Sequence, residues 1–175
     1  MCIRDRVKEA LGADFMRQRN ARFVQRALAA WHGVEHLELL GSLTASRLPI
    51  FSFRVRNGKG GFVHQQLVTR MLSDRFGIQA RGGCACAGPY VHRLLDIDEA
   101  QSQQMRQAIL DGREIEKPGF IRLNFSALLS DAKADFILES VLALAADAAD
   151  FEGLYGFDPS RAIFFPKSAE LAVAA

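Results

Sequence analysis

The spacing of apolar and polar residues predicts helices and short strands that follow one another along the chain. Apolar residues recur at helical spacing over residues 7–31, with a break expected near Gly12 and a stop at Gly33. Residues 49–56 instead alternate between apolar and polar side chains, which is the period of a strand with one buried face. A further helix is predicted over residues 62–76. The same reasoning predicts strands at 37–40, 78–81 and 120–125, and helices at 97–110 and 131–146.

The order of these elements predicts the fold class. Some strands are separated only by a turn, so residues 42–47 are expected to join the first two strands as a hairpin. Other strands are separated by a helix. This mixture predicts an α+β fold, a two-layer sandwich in which helices cover one face of a small, largely antiparallel sheet. The segment after residue 151 is less regular, and we expect it to be ordered and to pack on a partner surface.

Composition restricts the classes of function. A chain of 175 residues with 49% hydrophobic and 24% charged side chains has the size and core-forming content of one globular domain. The formal net charge is only +2, with acidic and basic residues scattered, which disfavours a nucleic-acid or anionic-membrane partner. The three cysteines do not form the even framework of a secreted disulfide scaffold, so we expect reduced thiols and a cytoplasmic location.

Two of the cysteines lie on a short loop of small residues at positions 81–89, Arg-Gly-Gly-Cys-Ala-Cys-Ala-Gly-Pro. Glycine permits unusual backbone angles and close approach to a partner, and Pro89 stiffens the end of the loop, so a thiol here is presented rather than packed. In an extended backbone the side chains of Cys84 and Cys86 leave on the same side. A disulfide between them would be strained because the ring is very short.

A zinc site is the next alternative for these thiols, with His92 as a third ligand. A fourth ligand would have to be His32, His36 or His64, and none of these histidines shows the paired spacing of zinc sites. We therefore predict no metal. A purely structural role for both cysteines in a tight turn stays open.

Two motifs resemble one enzyme family. The spacing R-x-G-x-x-C-A-x-P resembles the nucleophile loop of cysteine desulfurases and their class V aminotransferase relatives, which are pyridoxal 5'-phosphate (PLP) enzymes of fold type I. Cys86 matches the catalytic cysteine of the family, and Cys84 is a second candidate catalytic residue. Residues 119–126, Gly-Phe-Ile-Arg-Leu-Asn-Phe-Ser, resemble the family strand whose arginine binds the substrate carboxylate, and Arg122 is that match. The order of elements over residues 18–148 resembles the small C-terminal domain of the family.

The resemblance implies that two domains contribute different residues to one active site. This chain is expected to supply a persulfide-forming thiol at Cys86 and a carboxylate clamp at Arg122 for an amino-acid substrate, with cysteine the expected substrate. PLP would be bound mainly by a large domain, whose lysine follows a Ser-x-His pattern that no lysine of this chain has. The chain alone is then expected to be inactive, and the full-length enzyme is expected to be a homodimer.

The domain boundaries that follow are 1–17 for an extension and the start of a linking helix, 18–148 for the small domain and 149–175 for a tail. Residues 1–6 look like a translated sequencing adaptor of a metagenomic fragment, or else a genuine frayed terminus.

Two other functions stay open. One is a class V aminotransferase or lyase domain in which Cys86 is not catalytic. The other is a free-standing binding or sulfur-carrier module that uses Cys84 and Cys86 for thiol exchange.

Overall fold

Six helices and six strands are present in the computed structural model, which describes residues 2–84 and 88–168. The helices are α1 (Ile3–Leu11), α2 (Ala13–Trp31), α3 (Gln65–Phe76), α4 (Gly88–Leu94), α5 (Glu99–Leu110) and α6 (Asp131–Phe151). The strands are β1 (Leu37–Leu39), β2 (Ile50–Val55), β3 (Arg81–Gly83), β4 (Phe120–Asn124), β5 (Tyr155–Asp158) and β6 (Ile163–Pro166). Single 3-10 turns lie at Glu114–Glu116 and Glu152–Leu154. No helix within the described ranges is long and apolar enough to cross a membrane.

The main sheet has the strand order β1-β2-β4-β3, and every neighbouring pair is antiparallel. Apolar side chains alternate along β2 and β4, so that Phe51, Phe53 and Leu123 point into a core that also receives α2, α3 and α6. The predicted α+β fold, with helices packed on a small antiparallel sheet, is confirmed. The predicted pairing of the first two strands is confirmed as well, with Leu37 opposite Val55.

The helix predicted over residues 7–31 is divided into α1 and α2. Gly12 between them has a φ of 78°, so the expected break is confirmed. Other elements differ from the prediction. The strand predicted at 78–81 begins only at Arg81, because residues 77–80 form no ladder. Helix α4 was not predicted. It covers part of the opposite face of the sheet, where Val91 packs against Leu40 and Phe120 in a small second cluster.

The tail is the largest departure from the sequence prediction. Helix α6 continues to Phe151 rather than ending near residue 146, and β5 and β6 then form a second, two-stranded sheet. Residues 155–166 are therefore a hairpin, which packs mainly on α3. Ser130 accepts a hydrogen bond from the backbone of Lys133, so the predicted N-cap of α6 is confirmed.

Trp31 lies at the centre of the core. Its side chain is fully buried, its ring meets Phe51 edge-on at 5.3 Å between centroids, and its indole N–H donates a 3.2 Å hydrogen bond to the carbonyl oxygen of Leu138. The indole thus links α2 to the sheet through its apolar ring and to α6 through its hydrogen bond.

We expect Trp31→Ala to lower the free energy of unfolding by about 3–5 kcal/mol, because it removes a large buried side chain and leaves a cavity. Urea denaturation followed by circular dichroism measures this change. Leu110→Ala is the control, since Leu110 is 70% exposed and its loss is expected to change stability by no more than about 0.5 kcal/mol. Equal effects of the two substitutions would contradict the assigned core.

Candidate functional site

Two arginines face each other across adjacent strands. In the β3–β4 ladder Arg81 lies directly opposite Arg122, and on its other side Arg122 lies opposite Ser52 of β2. Directly opposed residues of an antiparallel pair share one face of the sheet, where like charges repel. Within residues 2–84 and 88–168 neither guanidinium has a carboxylate partner. The pair is therefore a concentration of positive charge that the described chain does not neutralise.

Other arginines of the protein have acidic partners. Arg54 donates to Glu38 at 2.5 Å, and Arg19 donates to Asp131 at 2.6 Å. The hydrogen bond from Arg19, together with neighbouring arginine charges, lowers the pKa of the Asp131 carboxyl below its ordinary value. Arg81 and Arg122 have no such partner among the described residues.

Arg81 and Arg122 line an open cleft with a volume of about 750 Å³. Three structural units build it: the edge of β3 and β4, one side of α3, and the β5–β6 hairpin. The α3 side contributes Gln66, Thr69, Arg70 and Ser73, and the hairpin contributes Ala162, Ile163 and Phe164. The cleft therefore combines a cationic and polar side with an apolar wall.

Arg70 belongs to the cleft but is already engaged. Its Nε donates to Asp74 at 2.7 Å, and the hydroxyl of Tyr155 donates to the same carboxylate oxygen at 3.3 Å. Burial, and then the negative charge of Asp74, raise the pKa of Tyr155 above its ordinary value, so the phenol stays protonated and keeps donating. This leaves Arg81 and Arg122 as the guanidiniums of the cleft with donors available to an anion.

The two predicted cysteines have different outcomes. Cys84 follows β3 directly and is half-buried against the small cluster that contains Phe120 and Val91. Phe120 lies two residues before Arg122, so both are on the same face of β4. The structure thus places Cys84 on the Arg122 side of the sheet. Cys86 lies outside the described residues.

Glycines allow β3, the strand that leads into the cysteine loop, to lie close to β4 and α3. A Cβ on Gly82 would lie 3.0 Å from the carbonyl oxygen of Gln65, and a Cβ on Gly119 would lie 2.8 Å from the Cα of Gly83. Gly83 also has a φ of 130°, which other residues rarely adopt. Gly82 of the motif is therefore required by close packing against the start of α3, and Gly83 by its backbone conformation.

Several residues considered from the sequence are not part of the cleft. His92 lies beside a separate pocket of about 260 Å³, and Tyr90 is 59% exposed on α4. Within the described residues no three His, Cys, Asp or Glu side chains are grouped as a metal site requires.

PLP requires a lysine, and none lines the cleft in the described ranges. Lys117 pairs with Glu114, and Lys167 donates to the carbonyl oxygen of Gly153 at 2.8 Å.

His64 has a structural role that the sequence did not indicate. Its Nδ1 accepts a 3.2 Å hydrogen bond from the backbone N–H of Gln66, which caps α3, and its Nε2 lies 3.1 Å from the carbonyl oxygen of Ile115. Its ring also stacks on Phe164 of the hairpin at 5.1 Å. The cap needs an unprotonated Nδ1, and burial lowers the pKa of His64 despite the opposing effect of the Ile115 carbonyl.

The hairpin residues of the cleft were also missed from the sequence. The available signal was two short apolar runs around Asp158-Pro159-Ser160, which is a turn pattern. Comparison with models of known protein families yields no match for this chain. A search of curated proteins yields no significant match.

We expect Gly119→Ala to destabilise the protein by about 1–3 kcal/mol, because the new methyl group would overlap the backbone of Gly83 and push β3 away from β4. Chemical denaturation measures the loss. Gly88→Ala is the matched control, since a Cβ there meets no atom within 4 Å of the described chain. A neutral Gly119→Ala would mean that β3 and β4 do not approach so closely.

Stability should also depend on pH through His64. The folded protein keeps His64 neutral, whereas the unfolded chain protonates it near its ordinary pKa of 6.5. The unfolded state then binds more protons, so the free energy of unfolding should fall as the pH drops below about 6.5. His64→Asn retains a capping acceptor but does not titrate, and it should flatten this dependence between pH 7 and about 5. Denaturation midpoints measured across this range, with His32→Asn as the control, test the assignment; an unchanged slope in His64→Asn would contradict it.

Proposed function

We propose that this chain is the small domain of a PLP-dependent enzyme of the cysteine desulfurase type. In this proposal Arg122 binds the carboxylate of an amino-acid substrate and Cys86 accepts its sulfur. The observation that carries the proposal is the pairing of β3 with β4. It brings the strand that leads into the cysteine loop directly beside the strand that bears Arg122, although the two are far apart in sequence.

Arg122 is suited to hold a carboxylate. A guanidinium can donate two parallel hydrogen bonds to a carboxylate, and this fixes the orientation of the substrate as well as its position. Strand β4 is paired on both sides, so its backbone is a rigid support. Arg81 opposite adds a second positive charge that favours an anion in the same cleft.

Cys86 is better suited than Cys84 to be the sulfur acceptor. Only the thiolate is a strong nucleophile, and thiolates form where the thiol is accessible and close to positive charge. Cys84 is half-buried and packs against apolar neighbours, so its thiol is only partly accessible. Cys86 follows two residues later on the loop, whose start is held by the β3–β4 ladder next to Arg81. We therefore assign sulfur acceptance to Cys86 and packing to Cys84.

The cofactor site belongs to another part of the enzyme in this proposal. PLP supplies an electron sink that weakens bonds at the substrate amino acid. Since no lysine lines the Arg122 cleft in the described part of the chain, we place the PLP lysine on a large domain. The residues of this chain bind and orient the substrate and provide the thiol.

The test is Cys86→Ala in the protein that includes the large domain. We expect sulfide release from L-cysteine to fall by about 10²-fold or more, because the nucleophile is lost, while the absorbance of bound PLP is retained. Cys84→Ala and Cys2→Ala are the matched controls and should keep most of the activity. Unchanged turnover in Cys86→Ala would remove the thiol from the mechanism and favour an aminotransferase or lyase.

A free-standing sulfur carrier is the second candidate, and it is favoured by Cys84, which follows β3 directly and is partly exposed. It requires a persulfide on the 175-residue chain in the absence of PLP, when a small persulfide donor is added. Intact-mass spectrometry detects this species as the gain of one sulfur atom, and its absence would leave the small-domain proposal alone.

A further inference from the structure

The hairpin β5–β6 lies beyond the segment that resembles the PLP enzymes, yet it forms one wall of the Arg122 cleft. We propose that this hairpin makes the cleft selective for carboxylates that carry an apolar group, such as an aryl or branched alkyl chain. The inference rests on the proposed carboxylate role of Arg122 and adds an apolar subsite beside it, which L-cysteine would leave unfilled.

The hairpin is held in place by contacts on three sides. Tyr155 donates to Asp74 on α3, and the ring of Phe164 stacks on His64 in front of the same helix. The backbone N–H of Ile115 donates a 3.1 Å hydrogen bond to the carbonyl oxygen of Pro159 in the hairpin turn. The wall is therefore anchored to the scaffold that also positions Gln66 and Arg70.

The residues at the end of the hairpin turn line the cleft with apolar side chains. Ala162 has a φ of 51°, a left-handed conformation that alanine rarely adopts, and it lines the cleft together with Ile163 and Phe164. Strained backbone of this kind persists where the surrounding structure holds it, and it often occurs at binding sites. Ile163 remains 43% exposed although its neighbour Phe164 is buried, so its side chain is available to a ligand.

The opposite side of the cleft contributes apolar residues and the two guanidiniums. Ile50, Ala80 and Leu123 continue the apolar surface, while Arg81 and Arg122 provide the cationic end. The cleft, of about 750 Å³, is open to solvent and lined by both polar and apolar residues, so one ligand can contact the guanidiniums and the apolar wall together. A ligand as small as acetate would reach Arg122 but leave the hairpin wall in contact with water.

Direct binding to the 175-residue chain tests the inference without any catalytic readout. Three probes are used: 4-phenylbutyrate, butyrate, and the neutral 4-phenylbutanol. Isothermal titration calorimetry should show that 4-phenylbutyrate binds about tenfold or more tightly than butyrate, because the phenyl group buries apolar surface on the hairpin. It should also bind more tightly than 4-phenylbutanol, which lacks the carboxylate.

Variants test the role of the hairpin wall separately from that of the carboxylate site. Ile163→Ser should abolish most of the preference for 4-phenylbutyrate and leave butyrate binding unchanged. Phe165→Ser is the matched control, since Phe165 lies on the same strand, is 48% exposed and does not line the cleft. Thermal melts confirm that each variant is folded, and Ile163→Ala replaces Ile163→Ser if the serine variant is not.

Three results would overturn the inference: no binding of 4-phenylbutyrate, equal affinity for butyrate and 4-phenylbutyrate, or equal effects of Ile163→Ser and Phe165→Ser. The carboxylate site is judged separately by Arg122→Gln, which should weaken both carboxylates and leave 4-phenylbutanol unaffected. If Arg122→Gln weakens both acids but Ile163→Ser changes nothing, the wall fails while the proposed function stands. If Arg122→Gln has no effect, the carboxylate role in the proposed function fails.

Discussion

The antiparallel pairing of β3 with β4 is the interaction on which the candidate site depends. It places Arg81 opposite Arg122 and ends where the cysteine loop begins. The pairing is possible because Gly82 and Gly119 leave room for backbones that a Cβ would overlap, and because Gly83 adopts a φ of 130°. A strand of three residues contributes few hydrogen bonds, so the close fit against the first turn of α3 is what holds it at the sheet edge.

Several arginines outside the cleft form ion pairs. On α2 the arginines converge on Asp131, and on the sheet Arg54 and Arg56 share Glu38. These pairs are partly exposed and contribute modestly to stability. In the cleft, two guanidiniums lie opposite each other with no carboxylate from the described chain. The cleft therefore keeps positive charge available where an anionic ligand can neutralise it.

The tail connects stability to the shape of the cleft. The hairpin is fixed by Tyr155, which reaches Asp74, and by Phe164, which stacks on the capping histidine His64. The same contacts that stabilise α3 thus define the apolar wall that faces Arg122. The cleft therefore has positive charge from the main sheet on one side and apolar surface from the β5–β6 hairpin on the other.

The sequence by itself determined the α+β class, the buried faces of β2 and α3, the cap at Ser130 and the break at Gly12. These features depend on side-chain periodicity and capping chemistry within a few consecutive residues. It also singled out Arg122 and the cysteine loop, through motifs that lie far apart along the chain. Only the tertiary structure decided that β3 pairs with β4, that His64 caps a helix, and that the hairpin at Ile163 walls the cleft. Such contacts join segments distant in sequence, and which segments meet is decided by how the whole chain packs rather than by any local pattern.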